Sequence, residues 1–175
     1  TGCNRQFKAD GSVAINNFER FIGDYGIRRG LKFKKLTDKK QSKKVAVIGS
    51  GPSGLSCAYQ LARRGYPVTI FEAFEKPGGM LRYGIPDYRL PADVLDAEIK
   101  NILDLGVELR CKSKVGVDIS FDDLRKNYDA IYLAIGAHKG ANLGVPGEDA
   151  PNVFTTASYL NRVNSGTRVD VDAFA

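Results

Sequence analysis

The sequence predicts an α/β fold: a central parallel sheet flanked by helices, with a helical appendage at the N-terminus. Three observations predict it. Two short apolar runs rich in β-branched residues, "KVAVIG" (44–49) and "PVTIFE" (67–72), bracket the helical stretch "PSGLSCAYQLARRG". That is the strand–helix–strand unit of a doubly wound sheet. A later run of the same kind, "DAIYLAIGA", follows two more amphipathic stretches. Glycines at 49, 51 and 54 punctuate the first strand–helix turn.

The elements follow in order. Ile15, Phe18, Ile22 and Tyr25 recur at spacings of three and four, so residues 13–25 read as a helix with Ser12 as its cap and Gly26 as its stop. Residues 1–27 form the appendage, and 28–44 a basic linker. The α/β segment spans 45–150. Its first helix ends at Gly65, and a Gly- and Pro-rich loop runs from Ala73 to Pro91. "ADVLDAEIKNILDLG" is amphipathic, "VELRC" and "KVGVDIS" are candidate strands, and "SFDDLRKNY" is a short helix capped by Ser120. Residues 151–175 hold one short helix and lead onward.

Composition narrows the function. The chain has 175 residues, 43% of them hydrophobic, enough for one core and an appendage. No apolar run approaches the ~18 residues of a membrane span. Cys3, Cys57 and Cys111 are too few and too scattered for a disulfide framework, which points to a reducing cytoplasm. Cys57 and Cys111 read as core filler and strand-end packing. The first residue is Thr, as expected of a processed start or of a piece of a longer protein. The net charge is +6, yet residues 28–44 alone carry nine Lys or Arg against one Asp. Such a tract suits a solvated linker or a docking face. Nucleic acid is disfavoured, because Leu31, Phe33 and Leu36 make no platform of closely spaced aromatics.

The glycines carry the chemistry. Gly49, Gly51 and Gly54 form G-x-G-x-x-G between a strand and a helix. The first permits the tight turn, the second the approach of a pyrophosphate, the third close helix–strand packing. The helix N-terminus presents free N–H groups and partial positive charge to the phosphates, and Pro52 costs little there. Glu72 ends the second strand, 18 residues after Gly54. A carboxylate there accepts hydrogen bonds from both ribose hydroxyls and repels a 2′-phosphate, so the cradle favours FAD or NAD over NADP.

The residues after Glu72 separate FAD from NAD by resemblance. "EKPGGMLRYGIPDYRLP" resembles the corresponding segment of the glutamate synthase small-subunit family of NADPH-dependent flavin and iron–sulfur oxidoreductases. "VIGSGPSGLSCAYQLARRGYPVTIFEA", "VLDAEIKNILDLGVEL" and "DAIYLAIGAHKGANLGVPGED" agree with it. The resemblance implies a Rossmann-like FAD-binding domain. It places FAD on Gly49, Ser50, Gly51, Pro52, Ser53 and Gly54, with Glu72 and Ala73 at the strand end. Gly78, Gly79, Met80 and Leu81 lie on the flavin side, Val115 at the adenosine, and Ala134, Ile135 and Gly136 along the cofactor. "AIGA" stands where many members have Ala-Thr-Gly.

"GCNRQFKADGSVAINNFERFIGDYG" resembles the end of the family's cysteine-rich region, so residues 1–27 read as the remnant of an iron–sulfur domain. Cys3 would ligate a [4Fe–4S] cluster only in a longer parent, since one thiolate cannot hold four irons. The family also implies a second, NAD(P)H-binding domain beyond residue 175, a redox partner protein or subunit, and little turnover by this segment alone. His138, the single histidine, sits in a loop and reads as exposed; no nucleophile–base pair or metal-ligand cluster is visible. Two alternatives remain open at this point: a stand-alone NAD-binding regulatory module, and a docking or nucleic-acid-binding module.

Overall fold

The computed structural model describes residues 3–7, 11–151 and 153–167. The chain divides into two compact units, Thr1–Lys32 and Phe33–Ala175.

The first unit holds a single 3-10 turn, Asn4–Phe7, and helix α1, Ile15–Arg28. The helix runs further than its sequence suggests. It passes through Gly23 and Gly26, although each costs about 1 kcal/mol relative to alanine. Its stop is Gly30, with φ +62°. Gly30 N–H donates to Ile27 O and Leu31 N–H to Gly26 O, the paired bonds of a Schellman motif. Ala14, not Ser12, takes the N-cap position, with no side-chain cap. Ile15, Phe18, Phe21 and Ile22 are more than half exposed within the described residues.

The second unit carries four parallel strands in the order β3-β2-β1-β4. These are β1 (Val45–Ile48), β2 (Val68–Phe71), β3 (Glu108–Arg110) and β4 (Ala130–Leu133). Val45 pairs with Val68 on one side and Ala130 on the other. Helix α2 (Pro52–Arg63) connects β1 to β2; the one-turn α3 (Met80–Tyr83) and α4 (Ala92–Leu103) precede β3; α5 (Phe121–Asn127) leads to β4; α6 (Thr156–Asn164) follows. The two faces of the sheet bury different layers. Val45, Val47, Val68 and Ile70 pack with Leu55 and Ala58 of α2 and Leu95 and Ile99 of α4. Ala46, Ile48 and Phe71 pack on the opposite face with Leu124 of α5.

The sheet thus turns back on itself between β1 and β4. Chains β1-α2-β2 and β2-α4-β3 step one way over one face, and α5 returns the chain over the other. In such sheets ligands bind at the carboxyl ends of the strands where the order reverses.

Two expectations are corrected. "KVGVDIS" is a turn, not a strand: only Val115 and Ile119 form an isolated bridge, and Asp118 accepts the Lys114 N–H at 2.8 Å. Val117 is 71% exposed, so the alternation there faces no core. The "DAIYLAIGA" run is an edge strand, not a buried one. Its ladder ends at Leu133, itself 62% exposed, and among the described residues β4 has a neighbour on one side only. Ser120 caps α5 as predicted, its Oγ accepting Asp123 N–H at 3.0 Å.

Of the basic tract, Phe33 to Lys44 belongs to the second unit and is tied to the rest of it. The Phe33 ring meets Tyr59 edge-on at 4.8 Å. Leu36 N–H donates to Arg63 O and Gln41 N–H to Gly65 O. The Asp129 carboxylate accepts from Lys43 Nζ and Lys44 N–H, both at 2.8 Å. Among the described residues no helix is long and apolar enough to cross a membrane.

Candidate functional site

A cleft of about 760 Å³ opens at the carboxyl ends of β1, β2 and β4. That volume suits a cofactor-sized ligand. The first strand–helix turn forms its floor. Gly49 has φ +103°, and a Cβ there would collide with the Ala134 carbonyl, its carbon only 2.9 Å away. Gly54 lies under the turn rather than in the cleft; a Cβ would run into the Gly49 carbonyl, its carbon at 3.0 Å. Gly51 is different. Its φ of −71° suits any residue, and the nearest atom to a Cβ would be Gly79 Cα at 4.0 Å. The space above Gly51 belongs to the cleft. Pro52 begins α2, so the unpaired N–H groups of the helix start border the same space.

Glu72 is only 5% exposed, yet its carboxylate lines the cleft. Three protein donors hold it. Ser50 N–H donates to Oε2 at 2.9 Å, the Ser50 hydroxyl donates to the same oxygen, and Phe74 N–H donates to Oε1 at 2.8 Å. A carboxylate has about four acceptor sites, so this arrangement leaves room for about one further donor where the sequence suggested two. Ser113 N–H binds the Glu72 carbonyl at 2.8 Å, which brings the turn carrying Lys114 and Val115 to the adjoining wall.

The structure gathers most of the sequence candidates around this cleft. Ser50, Gly51, Pro52 and Ser53 lie on the floor. Ala73, Gly79 and Met80 form one wall. Ala134, Ile135 and Gly136 form the other. Gly78 stands just behind, its N–H donating to Ser50 Oγ at 3.2 Å. Leu81 faces a neighbouring cleft of about 950 Å³ between α3, α4 and α6. Cys3 belongs to the first unit, half-buried near the start of α1. Among the described residues no group of three or more His, Cys, Asp or Glu is arranged to hold a metal ion.

Sequence reasoning missed several lining residues. Phe74 stands between the two clefts, its ring 4.7 Å from Tyr83 and 5.6 Å from His138. His138 therefore lines the cleft, folded back over Gly136. Nothing local in the sequence signals this; the contact spans 64 residues. Burial pushes the Tyr83 hydroxyl up from its usual range, the hydrogen bond donated by Lys76 N–H opposing, and burial likewise raises the Cys111 thiol.

A sequence model of NAD(P)-binding Rossmann-like domains matches residues 47–103, the cradle through α4. The chain is 43% identical to the NADP(+)-dependent formate dehydrogenase subunit beta of Moorella thermoacetica, over 83% of this chain and 24% of that protein. It is 38% identical to the glutamate synthase [NADPH] small chain of Bacillus subtilis, over 87% of this chain and 31% of that one. The chain is a homologue of glutamate synthase small chains and related NADPH-dependent oxidoreductases. It spans about a quarter to a third of the length of these two relatives. Among solved structures, Mycobacterium tuberculosis FprA in complex with NADPH superposes with a TM-score of 0.66 at 22% identity, covering 71% of this chain and 29% of that one. This likeness shows the shared Rossmann-like fold.

Proposed function

We propose that this chain is the FAD-binding segment of an NAD(P)H-dependent, iron–sulfur-linked oxidoreductase. The observation that carries the reading is the open space above Gly51, bordered by the α2 N-terminus and by the buried Glu72 carboxylate. The residues present fit a dinucleotide. Gly51 and the first N–H groups of α2 would receive the pyrophosphate. Glu72, beside Val115, would take the adenosine ribose, and its charge would turn away a 2′-phosphate. Gly79, Met80 and the Ala134–Gly136 backbone would flank the remainder, with Gly78 behind them. FAD, when bound, supplies the redox chemistry, taking a hydride's two electrons and passing electrons on.

In the full-length protein NADPH or NADH would bind a separate domain, since Glu72 disfavours NADP in this cradle. Cys3 would be one ligand of a [4Fe–4S] cluster whose other ligands lie elsewhere. A partner subunit or redox protein would receive or supply the electrons; the two relatives described above are themselves named as a subunit and a small chain. A reducing cytoplasm suits an iron–sulfur protein with the unbridged thiols Cys57 and Cys111. The alternative of a stand-alone NAD-binding regulatory module is not favoured, because these relatives are named as parts of oxidoreductases.

The test is to purify the full-length protein with and without Cys3→Ser and measure flavin, iron and sulfide. The reading expects FAD in both and less iron and sulfide in the variant. Absence of FAD from the wild-type protein, or equal iron in both, would count against the corresponding part.

A further inference from the structure

Ser50 is a member of the cradle by position, yet it is wholly buried. Its contacts explain why. Its N–H and hydroxyl both donate to Glu72 Oε2. On its other side, Gly78 N–H is shared between Ser50 O at 3.1 Å and Ser50 Oγ at 3.2 Å. One residue therefore pins both ends of the loop between Glu72 and Gly78. That loop carries Phe74, whose N–H is the third donor to Glu72 and whose ring stands in the cleft wall. Beyond Gly78 comes Gly79, packed so close to the cradle that an added Cβ would lie 2.7 Å from Gly51 Cα.

The hydroxyl has one proton and two lone pairs. Donating to Glu72 while accepting from Gly78 gives it a fixed direction, and hydrogen bonds in such a chain polarise one another. Anything that draws electron density from Glu72 Oε2, such as a ribose hydroxyl donating to the carboxylate, loosens its claim on the Ser50 proton. Ser50 Oγ must then move or turn, and the Gly78 N–H it holds responds.

We propose that Ser50 is a positioning residue that couples the adenosine side of the cleft, through Glu72, to the Gly78–Gly79 step on the flavin side. Occupation of one side sets the geometry of the other, and FAD is bound more tightly than its two halves would bind to uncoupled sites. The proposal rests on the FAD reading above.

The experiment follows amide hydrogen exchange at residues 78–80 of this chain with and without adenosine, which carries the ribose hydroxyls but no phosphate to meet Gly51 and Gly79. FAD affinity is measured alongside by quenching of flavin fluorescence. In the wild type, saturating adenosine changes the exchange rate at Gly78 and Gly79. In Ser50→Ala, at adenosine concentrations that saturate it, the exchange rate no longer responds, and FAD affinity falls by about tenfold, the scale of one buried hydrogen bond. A serine that only fills space would alter stability and leave the adenosine response intact, so an unchanged response in Ser50→Ala overturns the proposal. If Ser50→Ala fails to fold, Ser50→Cys takes its place: it keeps the size of the side chain, replaces the hydroxyl with a weak donor and acceptor, and is expected to lose the same response. Failure of the wild-type chain and of the full-length protein to bind either ADP or FAD would overturn the FAD reading itself, and with it this coupling.

Discussion

Glu72 offers a sharp test because two roles predict different things in the absence of any cofactor. A side chain that served only a ribose would leave the ligand-free protein indifferent to its removal, within about 0.5 kcal/mol. The structure predicts otherwise. Glu72→Ala removes the acceptor for Ser50 N–H, for the Ser50 hydroxyl and for Phe74 N–H. Leaving a buried donor unpaired costs about 1–3 kcal/mol. The hydroxyl can rotate toward another acceptor, and Phe74 N–H, at the cleft edge, can be reached by water. Ser50 N–H, on a residue with no exposed surface, has neither escape. A net loss of about 1–3 kcal/mol follows. For a chain of this size each kcal/mol moves Tm by about 2–4 °C, so a fall of roughly 2–12 °C is expected. The assay is thermal unfolding of the ligand-free chain followed by far-UV circular dichroism, repeated in urea. An apo Tm within about 1 °C of wild type would refute the bracing role of Glu72, and with it the buried network at the floor of the cleft.

Two further perturbations separate fold from site. At Gly51 an added Cβ would meet nothing nearer than Gly79 Cα at 4.0 Å and the backbone suits any residue, so in Gly51→Val apo stability should hold while FAD binding is lost; Gly54→Ala drives a Cβ into the Gly49 carbonyl and should destabilise the apo chain by about 1–3 kcal/mol. Equal Tm losses in both would contradict the assignment of their different roles. Asp129 has its pKa lowered by its hydrogen bond to Lys43, then by that to Lys44 N–H. A carboxyl whose folded pKa is depressed contributes above its unfolded pKa, near 4, and loses that contribution as pH falls through the lower folded value. The 33–44 strap should therefore loosen in acid, and Asp129→Asn should loosen it at neutral pH, read as faster amide exchange at Lys43 and Lys44; exchange that ignores both pH and the substitution would remove Asp129 as the anchor.

What was legible in the sequence was what local chemistry dictates. Gly49, Gly51 and Gly54 follow from the needs of one tight turn, and Gly65 from the end of one helix, where Gly65 N–H donates to Ala62 O and Tyr66 N–H to Leu61 O. The strand–helix–strand unit followed from its hydrophobic runs. Where two local signals competed, the reading slipped. Gly26 and Gly30 both suit a helix stop, and the Schellman bonds form at Gly30. "KVGVDIS" alternates like a strand, but Gly116 and the Asp118 side chain close it into a turn. What was illegible was non-local. The exposure of β4 depends on its having one neighbour, and the meeting of Phe74, Tyr83 and His138 depends on the sheet order. The engagement of Glu72 by Ser50 needs the β1 and β2 ends side by side, which spacing alone does not reveal.

The central claim is that this cleft is built for FAD. Its most direct test is to titrate the purified chain with FAD, NAD and NADP separately, beside Gly51→Val, and to follow flavin fluorescence and competition by ADP. The account predicts saturable FAD binding that ADP displaces, weaker binding of NADP than of NAD, and loss of FAD binding in Gly51→Val. FAD binding that survives Gly51→Val, or NADP binding tighter than FAD, would contradict it.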